Sequence, residues 1–210
     1  MCINCSLNRI GNMGYTLVDK GLDNSYPDTG LVTFEFTLGL IIASLRGFPL
    51  YFENQKNKLW VHTQQQTING KNIAIIGNGG IGQKFRYLNF IFPQSNIEIF
   101  SKTGSPGSQK VENFFFSIEK YDVIVVLIPL NNETKNMFNR NIFTRIKDNA
   151  LFVNMSYGEI VNTDDLIEEL MKDRFFAALD QVYPTPLPPE HALWNCPNLI
   201  LTPHVASNAR

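Results

Sequence analysis

Three glycines carry the clearest chemical spacing in this sequence. Gly77, Gly79 and Gly82 stand as G-x-G-x-x-G within Asn72–Gly82, N-I-A-I-I-G-N-G-G-I-G, between a β-branched run and a helical stretch. Gly77 allows a tight turn, Gly79 lets backbone approach a pyrophosphate, and Gly82 lets helix and strand pack closely. The helix start, Gly80-Ile81-Gly82, offers free N–H groups and a partial positive charge to phosphates. Glycine-rich turns are common, so the strand–loop–helix context carries the implication of dinucleotide binding. An acid at the tip of the next strand, about 20 residues on, ordinarily holds the adenosine ribose. Here that tip reads Ile99-Phe100-Ser101-Lys102-Thr103, without an acid. The hydroxyls of Ser101 and Thr103 and the charge of Lys102 suit a 2′-phosphate, which tilts the expectation towards NADP(H) over NAD(H). Lys102 as a merely solvated charge is the competing reading.

The elements that must position this loop can be read from periodicity. Residues 1–30 form an irregular lead-in rich in Asn, Gly, Asp and Pro. From Leu31 to about Leu50 the apolar residues Leu31, Phe34, Leu38, Ile41, Ile42 and Leu45 recur at spacings of three and four, one broad helical face. After a polar connector at 64–70, strands are expected at 72–76, 97–101, 123–128, 150–154, 175–180 and 199–202. Helices are expected at 80–92, 111–119, 140–146 and 164–172. The run Val123–Ile128 is apolar at every position, as a strand covered on both faces should be. Alternation of this kind predicts α/β architecture, a doubly wound parallel sheet of the Rossmann type.

A chain of 210 residues can bury roughly 70% of its unfolded surface, enough for a proper core. The net charge of −1, with scattered Lys and Arg, points to neither a nucleic-acid nor a membrane-surface partner. No apolar run approaches the roughly 20 residues of a membrane helix, and no secretory signal is evident. Three cysteines do not make a disulfide framework, so a reducing, cytoplasmic compartment is expected. Cys2-x-x-Cys5 lacks a second pair, and His62, His191 and His204 are too dispersed for a metal site; none is expected. Asp164, Asp165, Glu168 and Glu169 read as an exposed acidic helix face.

From about Thr33 to His204 the sequence resembles the D-isomer-specific 2-hydroxyacid dehydrogenases, relatives of glyoxylate/hydroxypyruvate reductase, phosphoglycerate dehydrogenase and formate dehydrogenase. The resemblance is carried by Thr33–Arg46 and Lys58-Leu59-Trp60, which look like the family's dimer-interface helix and its end. It continues through Leu127-Ile128-Pro129-Leu130 to Glu133-Thr134 and through Val153-Asn154-Met155-Ser156-Tyr157-Gly158-Glu159-Ile160-Val161. Leu179-Asp180, Pro186-Leu187-Pro188, His191, Trp194 and Leu201-Thr202-Pro203-His204 follow in the family order. It implies a dinucleotide-binding domain over 31–210 with a dimer-type helix at 31–58, and a homodimer. It also implies hydride transfer between NAD(P) and a small 2-hydroxy or 2-keto acid. Residues 1–30 would be a remnant of a substrate domain that is otherwise largely absent. Pro129, Thr134 and Met155 would border the cofactor, and Asp180 would meet the nicotinamide carboxamide.

Three side chains do the family's chemistry. His204 stands where the resemblance places the acid/base histidine, whose ordinary pKa near ~6.5 lets it exchange a proton at neutral pH. Tyr157 stands where the family has an arginine for the substrate carboxylate, and Thr185 where it has the carboxylate that orients the histidine. Tyrosine brings one hydrogen bond and no charge; threonine cannot stabilise an imidazolium. Loss of one preorganised donor commonly costs on the order of 10²–10³ in turnover. Loss of the ionised partner of a catalytic histidine costs around 10⁴. Two further functions are thereby open: a dinucleotide-binding sensor or regulatory partner without turnover, and a structural dimerisation module with an inherited loop.

Overall fold

The structure, a computed structural model, describes residues 29–208. Cys2, Cys5 and residues 1–28 of the expected lead-in lie outside the described residues. Helix α1, Thr29–Leu45, is followed by α2, Phe48–Lys56, at a bend of 64°. The single helix expected over 31–50 is therefore broken. Gly47 adopts a left-handed φ of 64°, and Pro49 occupies the first turn of α2, where a missing N–H costs nothing. The buried side of α1 is also rotated from the expected stripe. Thr33, Thr37, Leu40, Ile41 and Leu45 face inward, while Leu31 and Ile42 are exposed. The two threonine hydroxyls can be buried because each donates to the carbonyl four residues back, Thr29 O at 2.8 Å and Thr33 O at 2.6 Å.

The remaining elements follow in order: β1 Asn72–Ile76, α3 Gly80–Lys84, α4 Leu88–Ile91, β2 Asn96–Ser101, β3 Gln109–Lys110, α5 Val111–Phe116, β4 Val123–Val126, α6 Arg140–Phe143, β5 Leu151–Asn154, α7 Thr163–Leu170, β6 Phe176–Leu179 and β7 Leu199–Leu201. The continuous helix expected over 80–92 is instead α3, a 3₁₀ turn at Phe85–Tyr87, and α4. Glycine and aromatic residues hold a helix weakly, and this one is fixed by its burial. Phe85 is fully buried, edge-on to Phe34 with ring centroids 4.9 Å apart. Strand β3, two residues long, carried no sequence signal.

All seven strands are parallel, in the order β3-β2-β1-β4-β5-β6-β7. Alternate residues of the six strands other than β3 enter different cores. Ile73 and Ile75 of β1 pack with Leu40, Ile41, Phe85 and Leu88 on the α1–α3 face. Ala74 and Ile76 pack with Phe114, Phe138, Phe143 and Leu166 under α5, α6 and α7. Burial on both faces explains why β4, V-I-V-V, is apolar at every position. The strand order reverses between β1 and β4, and their carboxyl ends open the crevice where such sheets bind ligands.

No single helix among the described residues is long and apolar enough to cross a membrane; α1 and α2 meet that test only as a bent pair. The acidic face expected on α7 needs one correction. Glu169 is 1% exposed, its carboxylate taken by Lys172 and by Arg174 Nη1 at 3.1 Å. Asp165 instead accepts Arg140 N at 2.9 Å, and Asn162 caps the helix by accepting Asp165 N at 3.1 Å.

Candidate functional site

The glycine loop divides into two residues that the fold requires and two that it leaves open. A Cβ on Gly82 would lie 2.0 Å from Gly77 O, and one on Gly77 2.3 Å from Leu127 O, with Gly77 at φ 130°. At Gly79 and Gly80 a Cβ would meet nothing within 4 Å. Close packing explains the first pair. The second pair lines a bare backbone cradle, capped by no side chain, at the start of α3. Side chains there would fill the space a pyrophosphate needs, so the residues present fit a dinucleotide. Ile81 packs partly into the α1-side core behind the cradle.

At the tip of β2, Ser101 Oγ lies 2.8 Å from Ser108 Oγ and accepts Gly104 N at 3.1 Å. Lys102 Nζ reaches across to Glu133 Oε2 at 2.5 Å, in the loop after β4. Both side chains are exposed, which limits such a pair to under about 1 kcal/mol. Thr103 is exposed. The loop after β4 is tied to itself: Thr134 Oγ1 donates to Pro129 O at 2.8 Å and accepts Asn131 N at 2.8 Å.

The next three strand ends carry the expected reacting groups. After β5, Met155 is 8% exposed, and Ser156 Oγ accepts Ile128 N at 2.9 Å, joining the ends of β4 and β5. Tyr157 is 55% exposed and stands at the head of a 3₁₀ turn, Gly158–Ile160. A Cβ on Gly158 would sit 2.2 Å from Val182 C, so glycine is what lets this loop lie against the loop after β6. In that second loop Thr185 is exposed, and its hydroxyl donates to Val182 O. After β7, His204 adopts φ 55°, and its N–H donates to Asp180 O at 2.7 Å.

Asp180, 2% exposed, directs both carboxylate oxygens at this last turn. Oδ1 accepts Thr202 Oγ1 at 2.6 Å and Val205 N at 3.0 Å, and Oδ2 accepts Ala206 N at 3.1 Å. The aspartate expected at the carboxamide thus also fixes the turn that carries His204. Tyr157, Thr185 and His204 lie in the loops after β5, β6 and β7, the crest at the carboxyl end of the sheet, and no hydrogen bond joins Thr185 to the His204 imidazole among the described residues. His191 Nδ1 accepts Leu193 N at 3.3 Å and starts the 3₁₀ turn Ala192–Asn195; His62 is exposed. No cluster of three or more His, Cys, Asp or Glu that could hold a metal occurs among the described residues.

Sequence reading missed a polar corner between the glycine loop and the loop after β2. Asn78 Nδ2 donates to Ser105 Oγ at 3.0 Å; Arg86 Nη2 donates to Asn78 Oδ1 at 3.1 Å and to Gly107 O at 2.7 Å. Its signal in the sequence is the loop Ser101–Ser108, S-K-T-G-S-P-G-S, dense in hydroxyls and glycine.

Comparison with known proteins places the fold in a family. The family profile for the D-isomer specific 2-hydroxyacid dehydrogenase NAD binding domain matches residues 38–206. The chain is 32% identical over 197 residues to an uncharacterized protein in the proB 3′ region of Corynebacterium melassecola, covering 87% of this chain and 62% of that one. It is 31% identical over 189 residues to the Homo sapiens glyoxylate reductase/hydroxypyruvate reductase, covering 83% and 57% respectively. A crystal structure of a D-isomer specific 2-hydroxyacid dehydrogenase family protein from Aeromonas salmonicida superposes with a TM-score of 0.78 at 29% identity, covering 92% and 64%. The chain belongs to the D-isomer specific 2-hydroxyacid dehydrogenase family, through its NAD-binding domain. It spans less than two thirds of the length of each of these relatives.

Proposed function

We propose that this chain binds NAD(P) and moves hydride between its nicotinamide and a small 2-keto or 2-hydroxy acid, more slowly than the family's arginine and carboxylate would allow. The observation that carries the proposal is the open cradle at Gly79–Gly80 beside the strand-order reversal. When bound, the nicotinamide supplies or accepts the hydride. His204, on the turn held by Asp180, exchanges the proton with the substrate oxygen. Tyr157 gives the substrate carboxylate one neutral hydrogen bond. The hydroxyl of Thr185 is committed to Val182 O, and among the described residues it makes no hydrogen bond to the imidazole. That arrangement favours a second reading, a sensor that binds dinucleotide without turnover.

The cofactor corner, with Ser101, Lys102 and Thr103 in place of an acid, supports NADP(H) over NAD(H). A cytoplasmic homodimer completes the reading. Helix α2 has no buried residue, and Phe52, Leu59 and Trp60 beside it are exposed, Trp60 at 92%. An apolar surface of this kind marks an interface. Its test is Trp60→Ser, which should shift the mass measured by light scattering from dimer to monomer.

The functional test is fluorescence titration with NADPH and NADH, followed by glyoxylate and hydroxypyruvate in the same cuvette. Binding with oxidation supports the reductase, and binding alone supports the sensor. Binding of neither cofactor sinks both and leaves a dimerisation module.

A further inference from the structure

Resting on the reading of the cleft as a dinucleotide site, we propose that Arg86, more than Lys102, is the cation that selects a 2′-phosphorylated adenosine ribose. The cation that sequence alone offers is engaged: Lys102 lies 2.5 Å from Glu133 across the crevice, and both side chains are exposed. Arg86 is built in. Its Nη2 is fixed by Asn78 Oδ1 in the glycine loop and by Gly107 O in the loop after β2, so one guanidinium ties together both walls of the corner.

The loop is shaped around it. Gly107 has φ 78°, and a Cβ there would lie 2.3 Å from Arg86 Nη1. Arg86 has no carboxylate within 4 Å among the described residues, so its charge is uncompensated locally. Two of its five N–H donors are used by the two fixed contacts, which leaves three for a ligand. Beside it, the hydroxyls of Ser101, Ser105 and Ser108 lie 2.8–3.4 Å from one another and form a neutral floor, in which Ser108 Oγ donates to Ser105 O at 2.8 Å. A planar, always-charged fork beside hydroxyls matches a phosphate dianion, and it matches a ribose hydroxyl poorly. The acid that would hold a plain ribose is absent from the strand tip.

The test measures binding by calorimetry on the full chain, with NADPH, NADH, adenosine 2′,5′-bisphosphate and 5′-AMP. Arg86→Met should weaken NADPH and the bisphosphate about ten- to hundredfold, the range for a charge-assisted hydrogen bond. NADH and 5′-AMP should change less than about twofold. Lys102→Met should weaken NADPH by less than about fivefold, and Arg86→Lys should recover part of the preference. Asn78→Ala offers an independent route if Arg86→Met folds poorly, since it frees the guanidinium from one of its two fixed contacts without adding charge near the pyrophosphate, and should weaken NADPH and the bisphosphate more than NADH and 5′-AMP. Equal losses for all four ligands would make Arg86 a loop tie and overturn the inference while leaving the dinucleotide site standing. A larger effect at Lys102 than at Arg86 would overturn it in the same way. Failure of the unaltered chain to bind any of the four would overturn the dinucleotide reading as well.

Discussion

Gly79→Ala and Gly82→Ala should separate ligand binding from folding within one six-residue motif. At Gly82 the new Cβ would lie 2.0 Å from Gly77 O, over an ångström inside van der Waals contact with backbone that cannot swing aside. Overpacking of this kind costs about 1–3 kcal/mol or more. For a chain of this size each kcal/mol lowers the melting temperature by roughly 2–4 °C, so a loss of about 2 kcal/mol is a fall of about 4–8 °C. At Gly79 the backbone has φ −79°, open to any L residue, and the Cβ meets nothing within 4 Å. Alanine there should leave stability unchanged or raise it by about 0.4–1 kcal/mol through a less flexible unfolded chain. The same methyl stands in the cradle, however, and should weaken NADPH binding at least tenfold. Thermal melts followed by circular dichroism and fluorescence titrations on both variants read the two effects separately. A Gly79→Ala protein that binds cofactor like the parent, or melts as early as Gly82→Ala, would refute the division of the loop.

Tyr157→Arg with Thr185→Glu should raise turnover of glyoxylate or hydroxypyruvate by about 10²–10⁴, read as NADPH oxidation at saturating substrate; no gain would remove these positions from the chemistry. Burial pushes the Asp122 carboxyl up, but Lys147 at 2.6 Å, Asn72 N–H at 2.9 Å and Lys71 at 4.0 Å more than offset it, holding it below the usual range. A depressed folded-state pKa stabilises above the unfolded value of about 3.9 and is lost as pH falls through the folded value. Asp122→Asn should therefore cost stability at pH 7 in urea titrations, and the gap to the parent should close below about pH 4. Glu169→Ala, which removes one of the two carboxylates on the partly buried Arg174 and leaves Asp148 at 2.8 Å, should cost about 1–3 kcal/mol in the same titrations; a change under about 0.5 kcal/mol would show that the charge is not needed.

The sheet could be read closely from sequence because β-branched runs between glycine and polar turns have few alternatives. Asn72–Ile76 was expected and found with the same ends. Reading failed where tertiary contacts decide. Thr33 and Thr37 look polar in a string of letters, yet their hydroxyls are satisfied within α1 and they face the core. Glu169 belongs to a run of acids, and only the approach of Lys172 and Arg174 from the turn before β6 makes its burial affordable. The break at Gly47-Phe48-Pro49 was legible in principle, since a glycine followed by proline two residues on is a helix stop and start. The glycine loop was legible as a binding site, but its division into packed and open glycines needs the neighbours Gly77 O and Leu127 O. The Arg86 corner joins residues up to 29 positions apart, Asn78 to Gly107, and no local pattern announces it.

Gly158 fastens two parts of the crest into one lever. With a Cβ position 2.2 Å from Val182 C, the loop bearing Tyr157 lies directly against the loop bearing Thr185, and Thr163 Oγ1 at the start of α7 donates to Tyr183 O at 3.3 Å. Substitutions at 157 and 185 should therefore not act independently, and either change alone should gain less than the pair.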